Sequence, residues 1–523
     1  MKALSISYGS HDSSISLSVD DTILCVLELE RITRAKKISA SFDMMEMAAL
    51  SLLRSYNLKP KDIDVLISTA PMGRYSDENK PDIIETKKQF LGIEYNSFEV
   101  RHHLAHAGMY FMSNFNEALI SSCDGGGDGE NKALFHAKEL CLERVTTNTY
   151  QPSSHPYSIF STFLYGSAHN DGKMMGLAAL GHPNTAMIKK VRSLYKEFED
   201  LHFQVGLQKL KATFPDYYLA AKEKYTKASD LAAAIQQAFV FHRLIFFQNM
   251  NISQNDNLVL VGGAALNLEC NSKIYTSITQ NLYIPPDCND SGIAMGQNAI
   301  IIARLLGKRA KAPSLPYMGV PETKQNWHYH KSSIRDHYFK NDPREIAQLL
   351  ADGSVILTHV GRAELGPRAL GHRSFLANPL IQGNKKLVSE LIKKREEYRP
   401  VAPIALKEEI GVHFINGPAE SPYMLYNYDT PSSSRELLNC VVHIDGTARV
   451  QTVTREHEPF IYEILTEFKK ITGVGILMNT SLNLSNEPLS DNLHNTVMIL
   501  SKILHLCKKG AFIAFDQSQI PSI

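Results

Sequence analysis

No stretch of this 523-residue chain approaches the ~20 uninterrupted apolar residues that a helix needs to cross a bilayer. The opening segment Met1–Ser7 alternates like a strand and lacks the long apolar core of a secretory signal peptide. Charge of one sign is also missing, since 55 lysines and arginines face 54 acidic residues. A dedicated nucleic-acid binder normally carries a basic stripe. We therefore expect a cytoplasmic protein whose partners include neither membrane nor nucleic acid.

Cysteine is scarce, with seven residues scattered along the chain and no Cys-x-x-Cys pair. This pattern is typical of buried thiols in a reducing compartment and argues against a cysteine zinc site. Internal repeats and low-complexity segments are also missing. The apolar fraction of 44% is ordinary for a globular protein. A chain of this length is expected to form more than one domain, each with its own core.

Strand and helix patterns alternate along most of the chain, which predicts an α/β fold. Residues 3–30 read as three short strands, and residues 98–128 as strand, helix and strand. Composition changes at Lys308–Pro343, which is rich in Pro, Lys, His and Asn. We interpret this segment as a linker between domains at residues 1–340 and 345–523.

Two histidines dominate the segment that follows the predicted strand ending near Val100. His102 and His106 are four residues apart, so a helix would place both imidazoles on one face. Asp124 then follows an apolar run and opens a glycine turn, and Asp290 lies at another strand-to-helix turn. Acids at the ends of neighbouring strands converge on one crevice. Two imidazoles with carboxylates suit a divalent transition metal.

Paired glycines occur where the backbone is expected to approach a nucleotide or anion. Gly262-Gly263 follows the fully apolar strand 258–261 and precedes Asn267, and Lys173 lies in a glycine-punctuated loop. The run Glu30–Lys37 carries many charges, which by themselves suit a solvated loop.

Arginines are concentrated in the glycine-broken loop 361–374, and further basic residues follow at 393–399. Arg side chains bind phosphate oxygens bidentately, and surface arginines need no such punctuation by Gly and Pro. We therefore predict a phosphate site in the second domain.

Several of these motifs together resemble the O-carbamoyltransferases of antibiotic and nodulation-factor biosynthesis. The most specific are Gly366-Pro367-Arg368-Ala369-Leu370-Gly371 and the run 393–403, Lys-x-Arg-Glu-x-x-Arg-Pro-x-Ala-Pro. Other matching stretches include 9–12, 30–36, 102–107, 124–130, 173–177, 262–271, 290–296, 445–453 and 479–488, in family order.

The resemblance implies an actin/sugar-kinase/heat-shock-type ATPase fold followed by a carbamoyl-adenylate-forming domain with a twisted open sheet. The second domain would form carbamoyl adenylate from carbamoyl phosphate and ATP with Mg. The first would transfer the carbamoyl group to a hydroxyl-bearing acceptor, and a homodimer is plausible by the same resemblance.

The resemblance also assigns roles to individual residues. The metal ligands would be His102, His106, Asp124 and Asp290, holding iron(II) or another divalent transition metal. Contacts to nucleotide, phosphate or carbamoyl groups would come from Gly126, Gly127, Lys173, Gly262, Gly263, Asn267, Arg399, Arg449, Asn479 and Ser481. Catalytic roles would fall to His11, Asp12, Arg368 and Lys393. His11 is either the base for the acceptor hydroxyl or a structural residue.

Two positions depart from the family pattern: Leu180 replaces an aromatic residue before Gly181, and Ala363 replaces a bulkier residue. The first removes an expected stacking contact. Two alternative functions remain: a threonylcarbamoyl-type transferase that modifies tRNA, and an ATP-gated binding module without transfer chemistry. The near-neutral charge weighs against the first alternative. The second would need neither the histidine pair nor the arginine loop.

Overall fold

The computed structural model describes residues 1–9, 11–69, 81–223, 225–399 and 401–519. Ser10 and Pro400, which belong to two of the predicted motifs, lie outside the described residues. Among the described helices, none combines the length and apolar character that crossing a membrane requires. The chain forms three large sheets with helices packed on them, which confirms the α/β class.

The first sheet is built from six strands near the N-terminus. They are β1 (Lys2–Ser7), β2 (Ser14–Val19), β3 (Thr22–Glu28), β4 (Val65–Thr69), β5 (Ile83–Phe90) and β6 (Ile93–Val100). Their order is β3-β2-β1-β4-β6-β5. The first three strands are antiparallel, whereas β1, β4 and β6 run parallel.

The second sheet repeats this arrangement. Its strands are β7 (Glu117–Gly127), β8 (Glu130–Lys138), β9 (Cys141–Arg144), β10 (Leu258–Val261) and β11 (Leu282–Tyr283), in the order β11-β10-β7-β8-β9. Again three antiparallel strands come first, and β10 and β11 add in parallel beside the first of them. This duplication agrees with the actin/sugar-kinase/heat-shock-type fold that the resemblance implies.

The third sheet uses strands from residue 339 onward and has the order β12-β20-β13-β14-β19-β15-β18. The strands of this part are β12 (Phe339–Lys340), β13 (Val355–Thr358), β14 (Ser374–Ala377), β15 (Ala402–Leu406), β16 (Tyr428–Asp429), β17 (Thr447–Ala448), β18 (Gln451–Val453), β19 (Ile476–Ser481) and β20 (Ala511–Ala514). β16 and β17 pair separately. We refer to residues 1–340 and 345–523 as the N-terminal and C-terminal regions. The domain boundary between them remains a prediction.

Helices cover the sheets on their outer faces and fill the space between the first two. They are α1 (Leu29–Thr33), α2 (Phe42–Ser55), α3 (His102–Ala107), α4 (His155–Tyr165), α5 (Asp171–Ala178), α6 (Thr185–Phe198), α7 (Phe203–Thr213), α8 (Ala220–Glu223), α9 (Tyr225–Asn249), α10 (Leu268–Ser277), α11 (Ile293–Leu306), α12 (Lys324–Lys331), α13 (Pro343–Ala351), α14 (Gly383–Lys385), α15 (Ser432–Arg435), α16 (Pro459–Thr472) and α17 (Leu493–Ile503). A π-helical segment, Lys386–Ile392, follows α14.

Helices α3 and α11 share one buried core with the first two sheets. Gly296 lets them approach closely, because a Cβ there would overlap the carbonyl oxygen of Ala105. α3 starts directly after β6, and α11 is preceded by the turn Asp290–Gly292. The close helix pair therefore brings the histidines of α3 to the acid that precedes α11.

Candidate functional site

The predicted metal ligands come together in the structure. Nε2 of His102 and Nε2 of His106 lie 3.2 Å apart. Nε2 of His106 is 3.4 Å from Oδ2 of Asp124 and 3.3 Å from Oδ1 of Asp290. One ligand atom from each of the four residues lies within 4.8 Å of the others. All four side chains are buried. We call these residues the histidine–aspartate cluster.

The chemistry of this cluster fits a divalent metal ion. The buried Oδ1 of Asp290 accepts no hydrogen bond from any residue that the structure describes, although two imidazole nitrogens face it. A cation among these atoms would satisfy that oxygen and both nitrogens. Two imidazoles with two carboxylates are a donor set suited to a first-row transition metal.

Electrostatics within the cluster favour positive charge at its centre. Burial alone would lower the pKa of His106, but Asp124 and Asp290 outweigh it and raise that pKa to about 9. Burial acts to raise the pKa of Asp124, whereas the hydrogen bond with His106 holds it well below its usual range. Two carboxylates therefore create a field that stabilises a cation at this point.

Glycines around the cluster position its ligands. A Cβ on Gly127 would clash with the imidazole of His102. The N–H of Gly263 donates to Oδ2 of Asp124 at 2.8 Å, and Gly262 adopts a φ of +86° against the backbone of Cys123. These contacts help to position His102 and Asp124. The nucleotide contacts predicted for these glycines and for Gly126 remain predictions.

The third histidine of the motif has a separate role. Nδ1 of His103 lies 2.8 Å from Oγ of Ser122, and its Nε2 lies 3.2 Å from the carbonyl of Glu130. Burial lowers the pKa of His103 well below its ordinary value. A neutral imidazole here ties α3 to the second sheet.

His11 and Asp12 lie beside the cluster. Nδ1 of His11 is 3.0 Å from Oδ2 of Asp12 and 3.6 Å from Oδ2 of Asp290. The hydrogen bond with Asp12 raises the pKa of His11 to about 9 despite partial burial. On its other side, the ring centroid of His11 is 6.0 Å from that of His169. His11 thus contacts the cluster and a second site, which His169 lines.

This second site is a cavity of about 700 Å³ between the N-terminal and C-terminal regions. Lys36 and His169 contribute to its wall. So do the predicted residues Lys173, Arg368, Lys393, Arg399, Arg449, Asn479 and Ser481. We call it the cationic cavity. Lysines and arginines outnumber acidic residues on its wall. This excess of positive charge predicts an anionic ligand.

Two arginines of the cationic cavity each leave a buried nitrogen without a partner in the part of the chain that the structure describes. Nε of Arg368 and Nε of Arg449 are shielded from solvent and form no hydrogen bond with the described residues. Burial lowers the pKa of Arg368 to about 10 and that of Arg395 to about 9, and neighbouring arginines add to the effect. An anion in the cavity would reverse this mutual repulsion. Sequence reasoning gave Arg395 no role of its own, although it belongs to the same basic run as Lys393.

The amine of Lys393 is hydrogen-bonded to other residues in the wall of the cationic cavity. Its buried amine donates to the carbonyls of Ser481 and Asn483 at 2.6 and 2.7 Å, and also to both side chains. The ammonium group therefore fixes the Asn-Thr-Ser-Leu-Asn loop. The predicted catalytic role of Lys393 stays a prediction.

The amide of Asn479 is oriented by two acceptors. Its Nδ2 donates to the carbonyl of Ala369 at 3.0 Å and to Oε1 of Gln451 at 2.8 Å. Its buried Oδ1 accepts no hydrogen bond from the described residues. Within the described part of the chain, this oxygen lacks the partner that a buried amide oxygen usually has.

Asn267 does not line the cationic cavity, but it lies directly behind Gln236 and Leu268, which do. Its side chain accepts from the N–H of Cys270 at the start of α10 and exchanges hydrogen bonds with Gln236. Asn267 is therefore the N-cap of α10. Its contact with a nucleotide remains a prediction.

The charged run Glu30–Lys37 differs from the solvated loop that its composition suggests. Arg31 is 3% exposed; it donates to Oε1 of Glu28 at 2.7 Å and to the carbonyls of Glu364 and Gly366. Arg34 donates to the carbonyl of Leu489 at 2.7 Å. The interpretation as a solvated loop is therefore wrong for these two arginines. Arg31 joins the N-terminal region to the arginine loop 361–374, and Arg34 joins it to residues 487–489.

Comparison with known proteins places the chain in a family. Residues 83–300 match the family described as "Carbamoyltransferase N-terminus", and residues 347–506 match "Carbamoyltransferase C-terminus". These matches define a group-transferring enzyme. The chain belongs to the carbamoyltransferase family.

Individual relatives agree with this assignment. Nodulation protein NolO of Bradyrhizobium diazoefficiens is 30% identical over 76% of this chain and 75% of its own length. Nodulation protein NolNO of Sinorhizobium fredii is 33% identical over 76% of this chain, and the match spans 61% of that protein. An uncharacterized protein of Methanocaldococcus jannaschii is 29% identical and matches over 92% of this chain and 93% of its own length.

Similarity to solved structures is low. HypF of T. kodakarensis is 13% identical with a TM-score of 0.29, covering 58% of this chain and 48% of its own. The ROK hexokinase of Thermus thermophilus has a TM-score of 0.24 at 13% identity, covering 46% and 89%.

Proposed function

We propose that this carbamoyltransferase uses carbamoyl phosphate and ATP with Mg to form carbamoyl adenylate. It then transfers the carbamoyl group to a hydroxyl of a small-molecule or glycan acceptor. The observation that carries the proposal is the position of the cationic cavity beside the histidine–aspartate cluster. His11 and His169 lie between the two sites.

The first step is a substitution at phosphorus. Water first cleaves carbamoyl phosphate to carbamate and inorganic phosphate. An oxygen of the carbamate then attacks the α-phosphorus of ATP, and pyrophosphate leaves. The substrates carry several negative charges, and Arg368, Arg399 and Arg449 would hold them by charge-assisted hydrogen bonds. Oδ1 of Asn479 would accept from the amide of the carbamoyl group.

The second step is a substitution at carbon. The acceptor oxygen attacks the carbamoyl carbon, the bond to the AMP oxygen breaks, and the hydroxyl proton passes to a base. His11 is the candidate for that base because it contacts Asp290 on one side and His169 on the other. Since its pKa is about 9, the fraction of His11 that is deprotonated accepts the proton. The cluster would hold iron(II) or another divalent metal, which supplies Lewis-acid stabilisation of negative charge when bound.

Hydroxylamine provides a test that requires no knowledge of the acceptor. It attacks acyl adenylates, so carbamoyl adenylate would yield hydroxyurea and AMP. We expect pyrophosphate and AMP to appear only when ATP and carbamoyl phosphate are both present. Hydroxyurea should then exceed the background that hydroxylamine gives with carbamoyl phosphate alone. Loss of one charged phosphate contact in Arg368→Ala should lower kcat/KM about 30-fold or more.

Arg335→Ala is the matched control, because Arg335 is exposed and does not line the cationic cavity. It should behave like the wild type. Release of ADP in place of AMP, or an Arg368→Ala enzyme with unchanged turnover, would refute the proposed adenylate step. Mass-spectrometric screening of sugars, aminoglycosides and polyketides for a carbamoyl increment would then identify the acceptor class.

A further inference from the structure

A second cavity, of about 600 Å³, lies on the other side of the arginine loop. Its wall combines residues 313–327 with the C-terminal region and contains four carboxylates, from Glu322, Glu456, Glu458 and Asp516. Among the lining residues that the structure describes, Arg362 is the only lysine or arginine. We call this site the acidic cavity. Neither the histidine–aspartate cluster nor the cationic arginines line it.

The guanidinium of Arg362 donates to backbone carbonyls. Its Nε donates to the carbonyl of Gly319 at 2.6 Å, and its Nη2 donates to the carbonyls of Leu24 and Met318 at 2.6 and 2.8 Å. A guanidinium held by three carbonyls is committed to the backbone. The carboxylates therefore determine the charge that a ligand would meet.

Two of the carboxylates are held in place by histidines. Oε2 of Glu322 lies 3.1 Å from Nε2 of His359, and Oε2 of Glu458 lies 2.9 Å from Nε2 of His372. Burial, together with the charge of Arg373, lowers the pKa of His359 to about 4. His359 is thus neutral at pH 7, whereas Glu322, which also accepts from the N–H of Leu493, carries a negative charge.

Aromatic rings complete the wall. The ring of Tyr317 stacks on His372, with centroids 3.5 Å apart and planes 17° apart. The ring of Trp327 lies 5.5 Å from that of His359, and Tyr423 also faces the cavity. Aromatic faces attract cations through their quadrupole, and the attraction increases when the cation is desolvated.

We propose that the acidic cavity binds a small organic amine in its protonated form. Carboxylates that surround aromatic faces would bind an ammonium group by charge-assisted hydrogen bonds and cation–π contact. The proposal goes beyond the carbamoyl transfer described above and does not depend on it.

The acidic cavity shares one loop with the cationic cavity. Tyr317 and Gln451 both line the acidic cavity and donate to the carbonyl of Leu370, at 2.9 and 2.6 Å. Gln451 also accepts from Asn479, which lines the cationic cavity. An amine in the acidic cavity would therefore contact the loop that carries Arg368.

Three probes of similar size and different charge test the site: para-bromobenzylamine, para-bromobenzyl alcohol and para-bromobenzoate. Binding to the full chain would be measured by calorimetry, and the bromine would be located by anomalous scattering in soaked crystals. We expect the amine to bind at least about tenfold more tightly than the alcohol, as one charge-assisted contact predicts. The benzoate should not bind, and the bromine of the amine should lie in the acidic cavity.

Two variants separate binding from folding. Glu458→Gln should weaken binding of the amine about tenfold, and the exposed Glu456→Gln, which leaves the core untouched, should weaken it less. Equal affinity for all three probes, bromine density outside the acidic cavity, or unchanged amine affinity in both variants would overturn the proposal.

Discussion

Nζ of Lys173 lies 2.8 Å from Oε1 of Glu396, so α5 is joined to the basic run of the C-terminal region. The prediction of a loop at Lys173 is wrong, because residues 171–178 are helical. Lys173 and Glu396 both line the cationic cavity. The ion pair therefore closes one side of the space in which two substrates would meet. Lys173 thus has a protein partner, although the family resemblance assigns it to the nucleotide.

These two roles of Lys173 can be separated by comparing two substitutions. Lys173→Met should raise the KM for ATP about tenfold, because a phosphate contact is lost. Glu396→Gln should change it less than about twofold, since a half-exposed ion pair contributes little. Steady-state kinetics of pyrophosphate release would measure both. Equal effects of the two substitutions would mean that Lys173 acts only as a tie between regions.

Loss of one imidazole should separate the two proposed chemical steps. His106→Ala should abolish bound metal, measured by plasma mass spectrometry, together with carbamoyl transfer, because two imidazoles and two carboxylates share the ion. Formation of hydroxyurea should persist, since the cationic cavity is unchanged. His136→Ala is the control, because His136 pairs with Glu117 at the end of β7 that is opposite to Asp124. Loss of adenylate formation in His106→Ala would contradict the division of chemistry between the regions.

Metal binding should also depend on a residue that is not a ligand. Gly127→Ala would place a Cβ against the ring of His102, so the ring must move and the metal content should fall severalfold. Gly383→Ala is the control, because nothing lies within 4 Å of a Cβ at that position. Full metal occupancy in Gly127→Ala would contradict this expectation, because the metal would then bind although the His102 ring has moved.

Stability should fall with acidification through His359. In the unfolded chain this imidazole takes up a proton at pH ~6.5, whereas in the folded protein its pKa is about 4. The unfolded state therefore binds more protons between these values, and lowering the pH favours unfolding. From pH 6.5 to pH 5 the contribution is about 2 kcal/mol. Denaturant unfolding of wild type and His359→Gln across this range would measure the difference, and parallel pH profiles would refute it.

The buried Arg31 should matter for stability more than its position in a charged run suggests. Arg31→Met leaves Glu28 buried without its cation, which typically costs about 3–5 kcal/mol. The expected result is a clear drop in the thermal midpoint. The double variant Arg31→Met/Glu28→Gln should recover part of it, because no unpaired charge remains. Equal midpoints for the single and the double variant would argue against this cause.

Local patterns in the sequence predicted much of the fold. Strands β1–β3 and β10, and the unit formed by β6, α3 and β7, lie close to their predicted positions because each depends on periodicity along a few residues. The antiparallel strands β5, β8 and β9 were not predicted. Helix α12 lies within the segment interpreted as a linker, whose periodicity is weak.

The sequence alone determined the ligand pair of α3, the acids at the ends of strands, the arginine loop and the family to which they belong. Those features depend on spacing within one element or on motifs in fixed order. Only the tertiary structure decided that Arg31 is buried, that Lys173 meets Glu396 and that four carboxylates surround a second cavity. Such relationships join residues far apart in the chain, where no local period or propensity exists to indicate them.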